Sequence, residues 1–353
     1  MKVCYFGTFD KNYLRNRIIR KGLEKNNIQV VLCHTKYTNL LRVYLELFFR
    51  WIKLSKKDIK AIIVGETGYI LMPLAWFIAK LWKKKLILDA FFSLYDTYVC
   101  DRRIVKENSF TAKKFFLIDK IGCLFADLVL LDTNAHIEYF KKIFSLPQKF
   151  FLKVAVGTDE DVFYPKNIEK KENKFIVLFW GTFIPLHGIE NIVKSAKLLE
   201  EYQDILFQIV GRGQTYTQII NLAEELKVKN VEFLDFVNEE KLAEKIAEAD
   251  VCLGIFGSTD KAKRVIPHKV YQAIAMKKPV ITADTPAIRE MFENEENILL
   301  SEISNPESLA EKILKLKKDS CLREKIAENG YKLFLENFTS DKIVKELIEY
   351  VSY

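Results

Sequence analysis

A chain of 353 residues, 49% of them hydrophobic, is long enough for two cores, since single domains usually run to about 100–200 residues. Its 55 basic and 47 acidic residues are interspersed, and the net charge of +8 comes with no nucleic-acid recognition motif, so the excess suits phosphates or a lipid surface rather than nucleic acid. No Pro/Ser/Gly-rich linker, low-complexity tract or short fixed repeat is present, which excludes solenoids and disordered tails.

The opening "MKVCYFGTFD" has too short an apolar run for a signal peptide and ends in a Gly-Thr turn, as a first strand would. Further strand candidates in the first half are "QVVLC", "AIIVG", "LILDA", "LVLLDT" and "FLKVAV". Between them, "LRVYLELFFRWIKLSKK" and "YILMPLAWFIAKLW" (Tyr69 to Trp82) read as core-packed amphipathic helices. The second contains Pro73 and Lys80 and falls short of the ~20 residues that span a bilayer. Their mix of aromatics with Lys and Arg also suits an interfacial helix, so an anionic membrane surface is a candidate partner. Six cysteines stand singly, none at metal-ligand or redox spacing, and read as small core residues of a reducing, cytoplasmic compartment.

A polar, lysine-rich join, "YPKNIEKKENK" (Tyr164 to Lys174), separates two strand sets, and domains of 1–165 and 173–338 follow. In the second set stand "FIVLFW", "ILFQIVG", "VEFLDF", "VCLGIF", "PVITAD" and "NILL". Alternation of short β-branched runs with helical patterns predicts α/β architecture: two doubly wound, Rossmann-like domains that hold a ligand in the cleft between them. A last helix is expected around Asp341 to Tyr350, with Thr339 or Ser340 as N-cap.

Three stretches suit an anionic ligand. In "FIVLFWGTFIPLHGIENIVKSAKLL" a strand ends at Gly181, a loop carries Thr182 and His187, and a helix begins after Gly188. Free N–H groups and the positive helix end there attract phosphate, although on these residues alone an ordinary βα turn is the better reading. "FQIVGRGQT" sets Gly211 and Gly213 around Arg212, a weak glycine-turn signal. In "RVIPHKVYQAIAMKKPVITAD", Arg264, His268 and Lys269 cluster around Pro267, and Lys269 and Gln272 fall on one helical face. A cation in a first turn opposes the helix dipole unless an anion joins it; the competing reading is a solvated surface lysine. The triplet Asp159-Glu160-Asp161 resembles a metal-holding D-x-D, but its place before the join favours a turn or cap, and no metal is expected.

Taken in order, "VGTDEDVFYP", "GTFIPLHGIENIVKSAKLL", "FQIVGRGQ", "VEFLDFVNEEKLAEKIAEADVCLGIF" and "PHKVYQAIAMKKPVITAD" resemble the family-4 retaining glycosyltransferases of the GT-B fold, of the bacterial group 1 type. The resemblance implies a nucleotide-sugar donor, UDP- or GDP-linked, in the C-terminal domain, and an acceptor on the N-terminal domain. It also implies that the segment 339–353 packs back on the first domain. The implied activity is hexosyl transfer with retention to a hydroxyl of a glycan or lipid-linked saccharide, in cell-surface polysaccharide or glycan synthesis. Such an enzyme would need no cofactor and no metal. With the single cysteines and the basic, aromatic helices, the chain is expected to be cytoplasmic and peripheral on the inner face of the plasma membrane.

The same resemblance implies that Lys269 and the amides between Gly181 and Gly188 stabilise the departing diphosphate, assisted by Thr182, His187 and Arg264, with His268 beside them. It puts Arg212 on the diphosphate or base and Gln272 on the ribose. On the acceptor side it points to Asp89, where relatives carry a histidine, to Asp96, Asp101 and Arg102, and to Tyr13 and Arg15. This chain departs from the family pattern at four positions: Thr182 replaces an arginine, His187 a lysine, and Arg264 and Gln272 two glutamates. Alternatives are a sugar-nucleotide epimerase on the same fold and a non-catalytic nucleotide-sugar-binding or membrane-scaffold protein.

Overall fold

The computed structural model describes residues 1–66, 68–168 and 174–352, and the chain divides into two units, 1–156 with 339–353, and 157–338. Part of the polar join, 169–173, lies outside the described residues. Residues 157–165, grouped by sequence with the first domain, belong to the second unit.

The first unit carries β1 (Lys2–Gly7), α1 (Leu14–Lys25), β2 (Gln29–His34), α2 (Leu40–Lys53), β3 (Ile59–Val64), α3 (Met72–Leu81), β4 (Lys85–Asp89), α4 (Phe110–Phe125), β5 (Leu128–Leu131), α5 (Asn134–Phe144) and β6 (Phe151–Lys153). Its six strands pair in parallel in the order β2-β1-β3-β4-β5-β6. β1, β3, β4 and β5 are nearly continuous buried apolar runs, as strands covered on both faces must be. Val43, Leu47 and Trp51 of α2 and Ala75 and Ile78 of α3 pack on one face, with Phe140 and Phe144 of α5. On the other face lie Ile18, Ile19 and Leu23 of α1 with Ile343, Val344 and Leu347 from the end of the chain.

The expected last helix is two pieces, Ser340–Ile343 and Lys345–Ser352. Thr339 stands at the N-cap position, but its hydroxyl donates to the Asp341 carboxylate at 2.7 Å rather than capping a backbone amide. Four cysteines are buried as expected, whereas Cys100 and Cys321 are exposed and do not belong to a core.

The second unit carries β7 (Phe175–Trp180), α6 (Ile189–Leu198), β8 (Ile205–Val210), α7 (Tyr216–Glu225), β9 (Val231–Leu234), α8 (Glu239–Glu248), β10 (Val251–Leu253), α9 (His268–Ala275), β11 (Val280–Ala283), α10 (Pro286–Arg289), β12 (Leu299–Ser301), α11 (Pro306–Lys318) and α12 (Ser320–Asn337). Its parallel sheet runs β12-β11-β10-β7-β8-β9. From β7 the chain winds outward to β9, then returns to β10 on the opposite side. The carboxyl ends of β7 and β10 therefore flank a topological switch point, the place where open α/β sheets leave a crevice. The first sheet has its switch between β1 and β3.

No helix among the described residues is long and apolar enough to cross a membrane. α1 runs so close to the end of the chain that a Cβ on Gly22 would collide with the Ser340 carbonyl. Gly22→Ala is expected to cost about 1–3 kcal/mol by forcing that contact apart. Denaturant unfolding reads the loss, and an unchanged midpoint would show that the terminal helices are not held there.

Candidate functional site

At the carboxyl end of β7 the backbone turns through Gly181, at φ +143°, a conformation that side chains rarely adopt. A short 3-10 turn, Pro185–His187, leads to Gly188, at φ +61°, and then to α6, whose N-terminus has no side-chain cap. Two neighbouring turns lock this loop. Phe183 N–H donates to the Arg212 carbonyl at 3.0 Å, and Thr215 N–H to the Phe183 carbonyl at 3.0 Å. A Cβ on Gly213 would lie 2.7 Å from the Phe183 backbone, and one on Gly211 would strike the Gly181 carbonyl. Gly211 and Gly213 thus let one turn press on the other. Gly188 meets the backbone after β10 in the same way, and Phe256 N–H donates to the His187 carbonyl at 3.0 Å.

Lys269 enters this site from the first turn of α9, whose N-cap is Pro267 and which has no capping side chain and no acidic residue in its first turn. A Cβ on Gly181 would stand 3.1 Å from Lys269 Nζ and 3.2 Å from His187 Cε1, so the amine and the imidazole converge on the Gly181 α-carbon. Lys269 is 4% exposed, which removes the reading of a solvated surface lysine. Its Nζ lies 3.7 Å from the centroid of the Phe179 ring and finds no hydrogen-bond partner among the described residues. Burial pushes the amine well below the ordinary lysine range. α9 is buried on every side, with Tyr271 edge-on to Phe338, and Gly330 of α12 close against Ile274, so the lysine has no route to solvent by a change of helix face.

His187 is also buried, edge-on to Phe179. Its Nδ1 lies 2.5 Å from the Thr182 carbonyl, which only accepts, so Nδ1 carries the proton. Thr182 thus serves the site first through its backbone. Gln272 Oε1 accepts from Trp180 Nε1 at 2.8 Å, which leaves its amide group as the donor end of the side chain. Trp180, which sequence reading passed over, is the residue that sets this orientation. Arg264 closes a turn, its N–H donating to the Lys261 carbonyl at 3.0 Å, and is half-buried, as is His268 at the start of α9. Arg212 is exposed, paired through Nε with Asp235 and 4.6 Å above the Tyr216 ring. Asp159 accepts from Asp161 N–H at 3.3 Å within a turn.

In the first unit the acceptor-side candidates separate. Arg15 and Asp89 are both 0% exposed and pair at 3.0 Å, and Arg15 Nη1 donates to the Val154 and Ala155 carbonyls at 2.8 and 2.9 Å. Both expected acceptor-side residues are thus engaged with each other in the core of the first unit, where the pair joins α1, β4 and the end of β6. Burial raises the Asp89 pKa and the Arg15 guanidinium opposes the rise. Asp96 and Asp101 are likewise buried, in a π-helical turn, and Arg102 lies beside them, 5.8 Å from the Tyr98 ring. Asp119 of α4 holds that segment, accepting from Ser93 Oγ at 2.6 Å and from two backbone amides. Tyr13, at the N-cap of α1, packs edge-on to Phe91.

Sequence reading missed Glu66, which follows β3 at the switch point of the first sheet. Burial and the nearby Asp89 push its carboxyl up to about 7. A strand ending in Gly-Glu was the available signal.

Residues 162–333 match the family model of glycosyl transferases group 1. The chain is similar to an uncharacterized glycosyltransferase of Methanocaldococcus jannaschii, 25% identical over 55% of this chain and 49% of that protein. It is also similar to a probable sucrose-phosphate synthase of Thermosipho melanesiensis, 24% identical over 66% of this chain and 56% of that one. The chain spans about half the length of the curated relatives it matches. Among solved structures, the HepE protein of Anabaena in complex with UDP superposes with a TM-score of 0.75 at 14% identity over 100% of both chains, and it has also been solved with UDP-glucose. The fold is therefore the two-domain α/β fold of the GT-B glycosyltransferases.

Two substitutions separate structural from functional roles. Asp89→Asn is expected to cost about 3–5 kcal/mol, because it leaves Arg15 buried and uncompensated. Turnover per folded molecule should stay near wild type, and a loss of turnover at unchanged stability would restore Asp89 to the chemistry. Lys269→Met is expected to raise the stability of the ligand-free protein by about 1–3 kcal/mol, since it removes a buried unpaired amine. The sign with pH follows from linkage: below the lowered folded value the lysine penalty is full, and it vanishes as pH rises to the ordinary lysine value. The stability gap between variant and wild type should close across that window, and thermal melts at a series of pH values measure it.

Proposed function

We propose that the chain is a retaining glycosyltransferase that takes a sugar from a nucleoside-diphosphate donor and passes it to a hydroxyl of a saccharide or lipid-linked acceptor, in glycan or polysaccharide synthesis. The observation that carries this reading is the Lys269 amine, buried without a partner against the Gly181 backbone and beside an uncapped helix N-terminus. An amine held there without a counter-ion, its charge favoured only when an anion joins it, suits an anion that arrives and leaves. Similarity to proteins solved with UDP and UDP-glucose favours a uridine donor.

On this reading the bond between the anomeric carbon and the distal phosphate oxygen breaks, and negative charge grows on the departing diphosphate. Preorganised donors stabilise such charge best where water is excluded. Lys269 takes that role without a metal, with the amides at the start of α6 around the same phosphate and His187 positioned beside Gly181. Gln272 donates its amide hydrogens to a ribose hydroxyl, oriented by Trp180. Arg264 and His268 flank the start of α9 toward the sugar, and Glu66 takes the acceptor-side position first given to Asp89.

The test is a panel of UDP- and GDP-sugars, with released nucleoside diphosphate measured with and without saccharide or lipid-linked acceptors. Acceptor-dependent release that falls about 10²–10³-fold in Lys269→Met supports the assignment. Full turnover by that variant would overturn it. Interconversion of donor sugars without acceptor would instead identify an epimerase, and donor binding without turnover a binding protein.

A further inference from the structure

The exposed apolar side chains of the first unit are not scattered. Of the 20 large hydrophobic residues exposed among the described residues, 12 lie on α2, α3 and α4. α2 is apolar on two faces. Val43, Leu47 and Trp51 point into the core, while Leu41, Leu45, Phe49 and Ile52 recur in steps of four, four and three on the opposite side, with Leu41 73% and Phe49 57% exposed. Alongside it α3 presents Trp76, Phe77 and Leu81, and α4 presents Leu117, Ile121 and Leu124 with Phe110, 83% exposed, at its start.

Ring contacts make these helices one surface. Phe48 of α2 lies 6.5 Å from Phe77, and Trp76 lies 5.3 Å from Phe125 of α4. Single exposed hydrophobics need no explanation, but a contiguous face spread over three helices marks a contact surface.

Charge chooses the occupant. The three helices carry seven basic residues: Arg42, Arg50 and Lys53 on α2, Lys80 on α3, and Lys113, Lys114 and Lys120 on α4. Of their two acids, Glu46 pairs with Arg42 of the same helix and accepts from Thr35, and Asp119 is held in the buried turn at Ser93–Tyr95. A second copy of the same face would set like charges against like with no free carboxylate between them. Anionic headgroups complement the face instead, with the apolar side chains entering the acyl boundary.

We infer that the face formed by α2, α3 and α4 docks on an anionic lipid bilayer, lying on it rather than crossing it. This inference is independent of the chemistry assigned to Lys269.

Flotation of the full chain with vesicles tests it. Recovery with vesicles of about one-third phosphatidylglycerol in phosphatidylcholine should exceed recovery with phosphatidylcholine alone by about tenfold and fall as salt is raised. Leu45→Glu with Phe49→Glu should remove binding about tenfold while the thermal melt stays at the wild-type midpoint, both positions being exposed. Lys113→Glu with Lys114→Glu should remove the preference for the anionic lipid. Wild-type protein that fails to float with either vesicle, or variants that float like wild type, would overturn the inference. So would a solution dimer that the Leu45→Glu, Phe49→Glu variant splits into monomers.

Discussion

The Lys269 side chain runs from the first turn of α9 to the backbone of Gly181 with no hydrogen-bond partner among the described residues, and much of the second unit is arranged so that this contact exists. Gly181 has to be glycine, because a Cβ there would crowd both the amine and the His187 ring. Gly211 and Gly213 allow the second turn to brace the first, so Gly181 has little freedom to retreat. α12 and Phe338 wall in α9, so the helix cannot rotate the amine outward. Burial of this lysine is imposed by packing, and packing is stiff compared with the cost of one unpaired amine.

The strands were legible because both sheets are parallel and their inner strands are covered on two faces. All twelve fall on the apolar runs read from the sequence; burial on both sides selects apolar residues along the inner strands, while the edge strands β2 and β9 are only partly covered. The glycine loop and Lys269 were legible too, through local conflict: a cation in a first turn breaks the dipole rule. What stayed hidden depends on distance along the chain. Gln272 is oriented by Trp180, 92 positions away, and Asp89 is paired with Arg15, 74 positions away. Asp89 at a strand's carboxyl end looks like a site acid, and only its partner shows that the charge is spent inside the first unit.

Exposed apolar surface was half-legible for a related reason. Periodicity shows that a helix has an apolar face, and it cannot show which of two apolar faces meets the sheet. In α2, Trp51 went inward and Phe49 stayed out, a choice made by the register of the helix on the sheet. The notion of an interfacial helix therefore needed the structure to separate core from surface.

Two departures from ordinary packing thus stand in this chain, of opposite kinds. One unit buries a lysine amine with no hydrogen-bond partner among the described residues, and the other exposes a face of apolar side chains. Each disfavours the isolated protein, one through desolvation and the other through hydration of apolar surface. On the readings offered here both are relieved by phosphate-bearing ligands, a diphosphate at Gly181 and lipid headgroups along α2 to α4. The net charge of +8 then has two distinct uses, and they are separable: a substitution on α2 changes where the protein resides, whereas one at Lys269 changes what it turns over.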